Sequence, residues 1–167
     1  VERLTEATDA WISTGERWME ILDGAGLEQP AARLRLLKWC RGPLQNLERA
    51  ALEVPRLCEI LADDHEGLEA VLKLCPPGCS ERLAVLRALH DLARDPSLRG
   101  AYALELATTM AEEAGTGLDA ARYFQEVLDI DPTDEAALQG LETVLKASCS
   151  WSELDALWAH QADGAVD

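Results

Sequence analysis

Residues 101–132 read AYALELATTMAEEAGTGLDAARYFQEVLDIDP, and this stretch decides the fold class. Leu104, Ala107, Ala111 and Ala114 recur at the spacing of one helix face, which predicts a helix over 101–114. Gly115-Thr116-Gly117 breaks it. A second helix is expected from Leu118 to Ile130, with Ala120, Ala121, Phe124, Val127 and Leu128 turned inward. Asp131-Pro132 ends that helix, because a proline ring pushes the preceding residue out of the helical region. Thr133 or Asp134 is then placed to cap the next one.

The same frame recurs in both directions. Moved forward by 34 residues, it meets Leu138, Leu141 and Leu145, then Cys149 at the turn, then Leu154 and Trp158. Moved back by 36, it meets Leu68, Val71 and Cys75, a turn at Cys79, then Ala84 and Ala88, and it closes on Asp95-Pro96. A further 34 back lie Leu34, Leu37 and Arg41, followed by Ala50, Val54 and Leu57; Pro30 suits a helix start and Gly42-Pro43 a turn. Nearer the beginning, Leu4, Ala7 and Trp11 precede Gly15 at the turn position, and a short second helix ends near Asp23-Gly24.

Helix, short turn, helix and Asp-Pro within about 34 residues resembles the tetratricopeptide repeat. The second helix carries the likeness best: a small residue at Ala120, an aromatic one turn later at Phe124, Val127, then the Asp131-Pro132 stop. The first helix departs from the family pattern, with Leu104 where the family often has Trp and Ala111 where it often has Tyr. The resemblance implies an all-α fold, an α-solenoid of stacked antiparallel helix pairs. Its segments would be a degenerate pair over 1–29, a degenerate repeat over 30–64, repeats over 65–98, 99–133 and 134–160, and a tail over 161–167, together one domain. One helix pair cannot bury its apolar face alone, so neighbours pile up and share a core.

In this family the concave face is lined mainly by the first helices of the pairs. The polar residues that the frame turns toward it are Glu66, Glu69 and Lys73 in one repeat, Tyr102, Glu105, Thr109, Glu112 and Glu113 in the next, and Gln139, Thr143 and Lys146 in the last. Several carboxylates from adjacent helices would suit the Lys or Arg side chains of a peptide, while the plainer reading of these residues is a solvated helix face. A clamp for the acidic tails of heat-shock chaperones is disfavoured, since family members of that kind use Lys, Arg and Asn where Glu, Thr and Gln stand here.

Composition supports a helical protein: Ala, Leu, Glu and Arg dominate, and no alternating Val/Ile/Thr run reads as a strand. The 167 residues carry 15 basic and 31 acidic side chains, a net charge of −16. That charge is concentrated late, with 3 basic against 14 acidic side chains over 99–167. A nucleic acid partner is therefore disfavoured, because phosphate contacts need clustered Lys and Arg, whereas a basic partner would be attracted. No run approaches the roughly 20 apolar residues of a membrane helix. Five cysteines at irregular spacing (Cys40, Cys58, Cys75, Cys79, Cys149) read as free thiols in a reducing, cytoplasmic setting.

Catalytic and cofactor chemistry finds little footing. His65, His90 and His160 are scattered, Gly24-Ala25-Gly26 lacks the lysine of a phosphate loop, and Asp63-Asp64 reads as a helix end. Cys75-Pro76-Pro77-Gly78-Cys79 is at most half a zinc site with no second pair, so packing is the better account; a disulfide across it would need oxidation. Trp11, Trp151 and Trp158 fall on apolar faces and are expected to anchor the core, while Trp18 follows a turn in the same role. The expectation is a protein-binding module without metal, cofactor or enzymatic activity. The alternative is a segment of a longer repeat scaffold, self-associating through its repeat ends.

Overall fold

The computed structural model describes residues 12–18, 20–21, 24, 29–112 and 117–164, with backbone only over 160–164. Among them every regular element is a helix. Helical residues at 12–18 precede eight longer helices: α1 (Pro30–Arg41), α2 (Leu47–Ile60), α3 (His65–Leu74), α4 (Ser80–Leu92), α5 (Pro96–Glu112), α6 (Gly117–Ile130), α7 (Glu135–Ala147) and α8 (Trp151–Gly164). The chain divides into two compact units, Val1–Leu92 and Ala93–Asp167.

In the first unit, Pro30 opens α1 at the position where its missing amide costs nothing. Asn46 caps α2 by accepting from Arg49 N at 2.9 Å, and Asp64 caps α3 by accepting from Gly67 N at 3.0 Å. The buried stripe of α2 is Ala50, Glu53, Val54 and Leu57, a perfect helical spacing with a carboxylate in it. It faces Leu36, Leu37 and Cys40 of α1. Beyond these adjacent pairs, α1 also packs on α3 and α2 on α4. Pro55 stands inside α2 with its ring exposed, and it denies the carbonyl of Ala51 the usual amide partner.

Two expectations fail in this unit. Gly15 is not a turn but a buried helical residue, placed where a Cβ would come within 2.5 Å of Leu44 Cδ1. Trp18 is therefore helical too, and it meets Trp39 edge-on at 6.1 Å, an arrangement that suits the ring quadrupoles. In α4 the core is Leu83, Val85, Leu86 and Leu89, whereas Ala84 is exposed and Ala88 only half-buried. Larger side chains one position away have more area to remove from water, so they set the helix rotation.

The second unit is the more regular. α5 packs on α6 and on α7, α6 packs on α7, and α7 packs on α8. In α6, Ala120, Phe124, Val127 and Leu128 are buried as read, with Ala121 half-buried. The Phe124 ring lies so tightly over Gly140 of α7 that no side chain fits there. Asp134 caps α7 through Ala137 N at 2.8 Å, and Asp131 binds the amide and hydroxyl of Thr133 at 2.9 and 2.7 Å. Those two bonds hold the Asp131 carboxyl below the usual carboxylate range.

α5 begins at Pro96, five residues ahead of the expected start, and its buried stripe is Ala103, Leu106, Ala107 and Met110 with Tyr102 beside it. Ala111 is exposed and Leu104 half-buried, so the helix is rotated from the expected phase. Ala114 and Gly115 lie outside the described residues. The tryptophans of α8 are the other correction. Trp151 is 59% exposed and Trp158 44%, and Leu154 is the residue of that helix that reaches the core. Trp158 lies instead beneath Lys146 Nζ, 5.8 Å from its ring centre.

Candidate functional site

The residues expected to line a groove fall into one stripe on each of three helices. On α3, Glu66 and Lys73 are exposed and Glu69 is half-buried, with Lys73 Nζ 3.7 Å from Glu69 Oε2. On α5, Glu112 is exposed while Glu105 and Thr109 are half-buried, and the Thr109 hydroxyl donates to the Glu105 carbonyl at 2.8 Å. On α7, Gln139, Thr143 and Lys146 are all exposed, and Lys146 Nζ is 2.6 Å from Glu142. Tyr102 does not belong with them, being only 7% exposed: it stands on the packed side of the rotated α5. Glu113 lies outside the described residues. The rows on α5 and α7 are on helices that pack together, at the same i, i+4, i+7 spacing; the row on α3 belongs to the other unit.

Both lysines in these rows are turned to a carboxylate on their own helix. Such exposed pairs contribute little to stability, but they leave the cation partly satisfied before any partner arrives. The excess of 15 acidic over 4 basic side chains across 93–167 sets the sign of the second unit's surface.

The concave surface that reading first helices alone missed lies elsewhere in that unit. A hollow of about 730 Å³ opens among α6, α7 and α8. Its apolar floor is Leu128, Leu138, Leu141, Leu145 and Leu157, and Arg122, Gln125, Asp129 and Glu153 stand in its lining. Leu118, at its edge, is 67% exposed. A signal existed in the sequence: Leu118, Ala121, Gln125 and Leu128 make a second stripe on α6, offset from the Ala120–Phe124 face. A smaller hollow of about 320 Å³ lies between α5 and the end of α6, around Ala101, Leu104, Val127 and Ile130.

The first unit holds a charge cluster that the sequence reading passed over. Glu53 is fully buried; its Oε2 accepts from Arg33 Nη1 at 2.8 Å, and its Oε1 lies 2.7 Å from Arg49 Nη2 and 3.7 Å from Arg56 Nη1. Burial of the carboxylate is tolerated because two guanidiniums neutralise it. No solvent reaches Glu53, so the cluster joins α1 to α2 rather than facing a substrate. Nearby, burial pushes the Cys40 thiol up; Arg49 pulls it back and Glu53 adds to the rise. Cys58 is raised as well, by burial first and Glu59 second.

The five cysteines are free thiols. No group of three or more His, Cys, Asp or Glu side chains gathers among the described residues at metal-binding range. No described helix is long and apolar enough to cross a membrane. His90 is buried at the end of α4, with Nδ1 3.3 Å from Asp91. No family model matches this chain, and neither does any curated protein or solved structure.

Proposed function

We propose that this chain is a non-catalytic, cytoplasmic protein-binding module: a tetratricopeptide-like solenoid whose first helices hold a basic peptide, or a basic helical segment of a partner. The single observation that carries this reading is the order of packing in the second unit. α5 packs on its partner α6 and on the next first helix α7, which in turn packs on its own partner α8. Serial contacts of that kind are what a stack of helix pairs requires. The rows Glu105, Thr109, Glu112 and Gln139, Thr143, Lys146 then run along adjoining first helices in a segment with 3 basic and 14 acidic side chains. On α3, Glu66, Glu69 and Lys73 make the equivalent row of the first unit.

Titrating lysine- and arginine-rich peptides against the whole chain tests this by fluorescence anisotropy. Affinity is expected to fall with added salt, and to fall roughly threefold or more when Glu105 and Glu112 are both replaced by Gln. Binding indifferent to salt and to both replacements overturns the reading.

A second reading, a segment of a longer repeat scaffold, is favoured by the exposed rings of Trp151 and Trp158 on α8. Apolar area left on a last helix suits stacking on a further helix, and sedimentation across a concentration series tests whether that face associates. A sharp monomer at every concentration counts against it.

A further inference from the structure

The connection from α3 to α4 runs Cys75-Pro76-Pro77-Gly78-Cys79. Cys79 N donates to Pro76 O at 3.3 Å across a turn with Pro77 second and Gly78 third at φ +81°, the signature of a type II β-turn. The turn doubles the chain back so that Cys79 returns toward Cys75, near enough to help raise the Cys75 thiol. Two prolines fix two of the three intervening φ angles, so little chain freedom is left to lose if the sulfurs join.

The sulfurs are unequal. Cys75 is 1% exposed and Cys79 half-buried. Arg41 of α1 approaches the more open one: its Nη2 is 3.7 Å from Cys79 Sγ and 3.5 Å from Glu81 Oε2. The Arg41 side chain is only 11% exposed, and its Nε is buried without a hydrogen-bond partner. From the other side Arg82 Nη1 donates to the carbonyl of Cys75 and, at 3.4 Å, to that of Leu72, which fastens the loop. A largely buried cation with spare donor capacity therefore sits against the accessible member of an adjoining thiol pair.

We propose that Cys75 and Cys79 form a redox dithiol, in which Cys79 attacks a small peroxide and Cys75 resolves the product into an intrachain disulfide. Cys79 releases its proton to solvent, and its sulfur, with the Arg41 guanidinium 3.7 Å away, forms an S–O bond as the O–O bond of hydrogen peroxide breaks. The departing hydroxide takes up a proton and leaves as water. Cys75, whose thiol burial pushes up to about 12, stays protonated until then. Its sulfur attacks the sulfenic sulfur, and its proton leaves with the hydroxyl as a second water. Two thiols lose two electrons together, and one peroxide is reduced to two waters.

The whole chain, exposed to dilute hydrogen peroxide, alkylated and digested with trypsin, provides the test. Cleavage after Lys73 and Arg82 leaves both cysteines on one peptide, residues 74–82. That peptide is expected to lose two hydrogen atoms, to escape alkylation, and to recover both thiols with dithiothreitol. Cys75→Ser is expected to leave Cys79 as a sulfenic acid trapped by dimedone. Arg41→Gln should slow disulfide formation by roughly three- to tenfold, and Glu81→Gln should speed it by releasing Arg41 from its carboxylate. Loosened packing would shift both variants the same way, so opposite signs support the assignment and a common sign overturns it. Oxidation of Cys79 no faster than that of the exposed Cys149 also overturns it.

Discussion

The two units solve the same packing problem with opposite uses of charge. The first, with 11 basic and 16 acidic side chains over 1–92, draws charge inward: Glu53 sits in the α1–α2 core between Arg33 and Arg49. The second, with 4 basic and 15 acidic side chains over 93–167, keeps its described core apolar, around Phe124, Leu106, Met110 and Leu141. An apolar core demands only shape, whereas a buried ion pair demands every partner at once. The first unit is thus held by a few irreplaceable contacts. The second is free to carry its acidity, and its hollows, on the outside.

Glu53→Gln should be the most damaging change, because it leaves the buried Arg33 and the half-buried Arg49 without their anion. A loss of about 3–5 kcal/mol is expected, read as faster amide exchange in α1 and α2 with α6 and α7 unaffected. Equal loosening of both units would break the contrast. Gly140→Ala should come next, at about 1–3 kcal/mol, since its methyl group collides with the Phe124 ring; exchange in α6 and α7 should report it. Asp134→Ala removes the α7 cap and should cost about 1 kcal/mol in denaturant titration.

The smallest effect concerns Asp131. Its folded carboxyl is held low by Thr133, so its contribution is present above the unfolded value of 3.8 and fades as pH falls through the lower folded one. Thr133→Ala should therefore lower the stability of the second unit slightly at neutral pH, leave it unchanged below the folded value, and flatten the slope between.

The α6 helix was legible because Ala120, Phe124, Val127 and Leu128 fall at i, i+4, i+7 and i+8 and a proline closes it. α5 was not, because Ala101, Tyr102, Ala103, Leu104, Leu106 and Ala107 surround the helix with apolar groups and leave its rotation to the partners it meets. The α8 tryptophans misled for a related reason: a large ring is drawn to a core only where a core extends to it, and among the described residues α8 packs on α7 alone. Glu53 could have been found, since an acidic residue interrupts the Ala50–Val54–Leu57 stripe. Of the hollow among α6, α7 and α8 only one wall, the second stripe of α6, was legible; the walls from α7 and α8 are set by packing. Of the expected binding rows, sequence gave the spacing but misplaced Tyr102, whose polar hydroxyl says nothing of where its ring is buried.

Gly78 adopts a backbone angle that side-chain-bearing residues resist, and that one geometry both reverses the chain after α3 and returns Cys79 toward Cys75. Shape and thiol chemistry are therefore governed by a single hydrogen atom where any other residue has carbon. A lineage that replaced it would surrender the hairpin bend and the sulfur neighbourhood in the same stroke, so the two traits must be inherited or discarded as one.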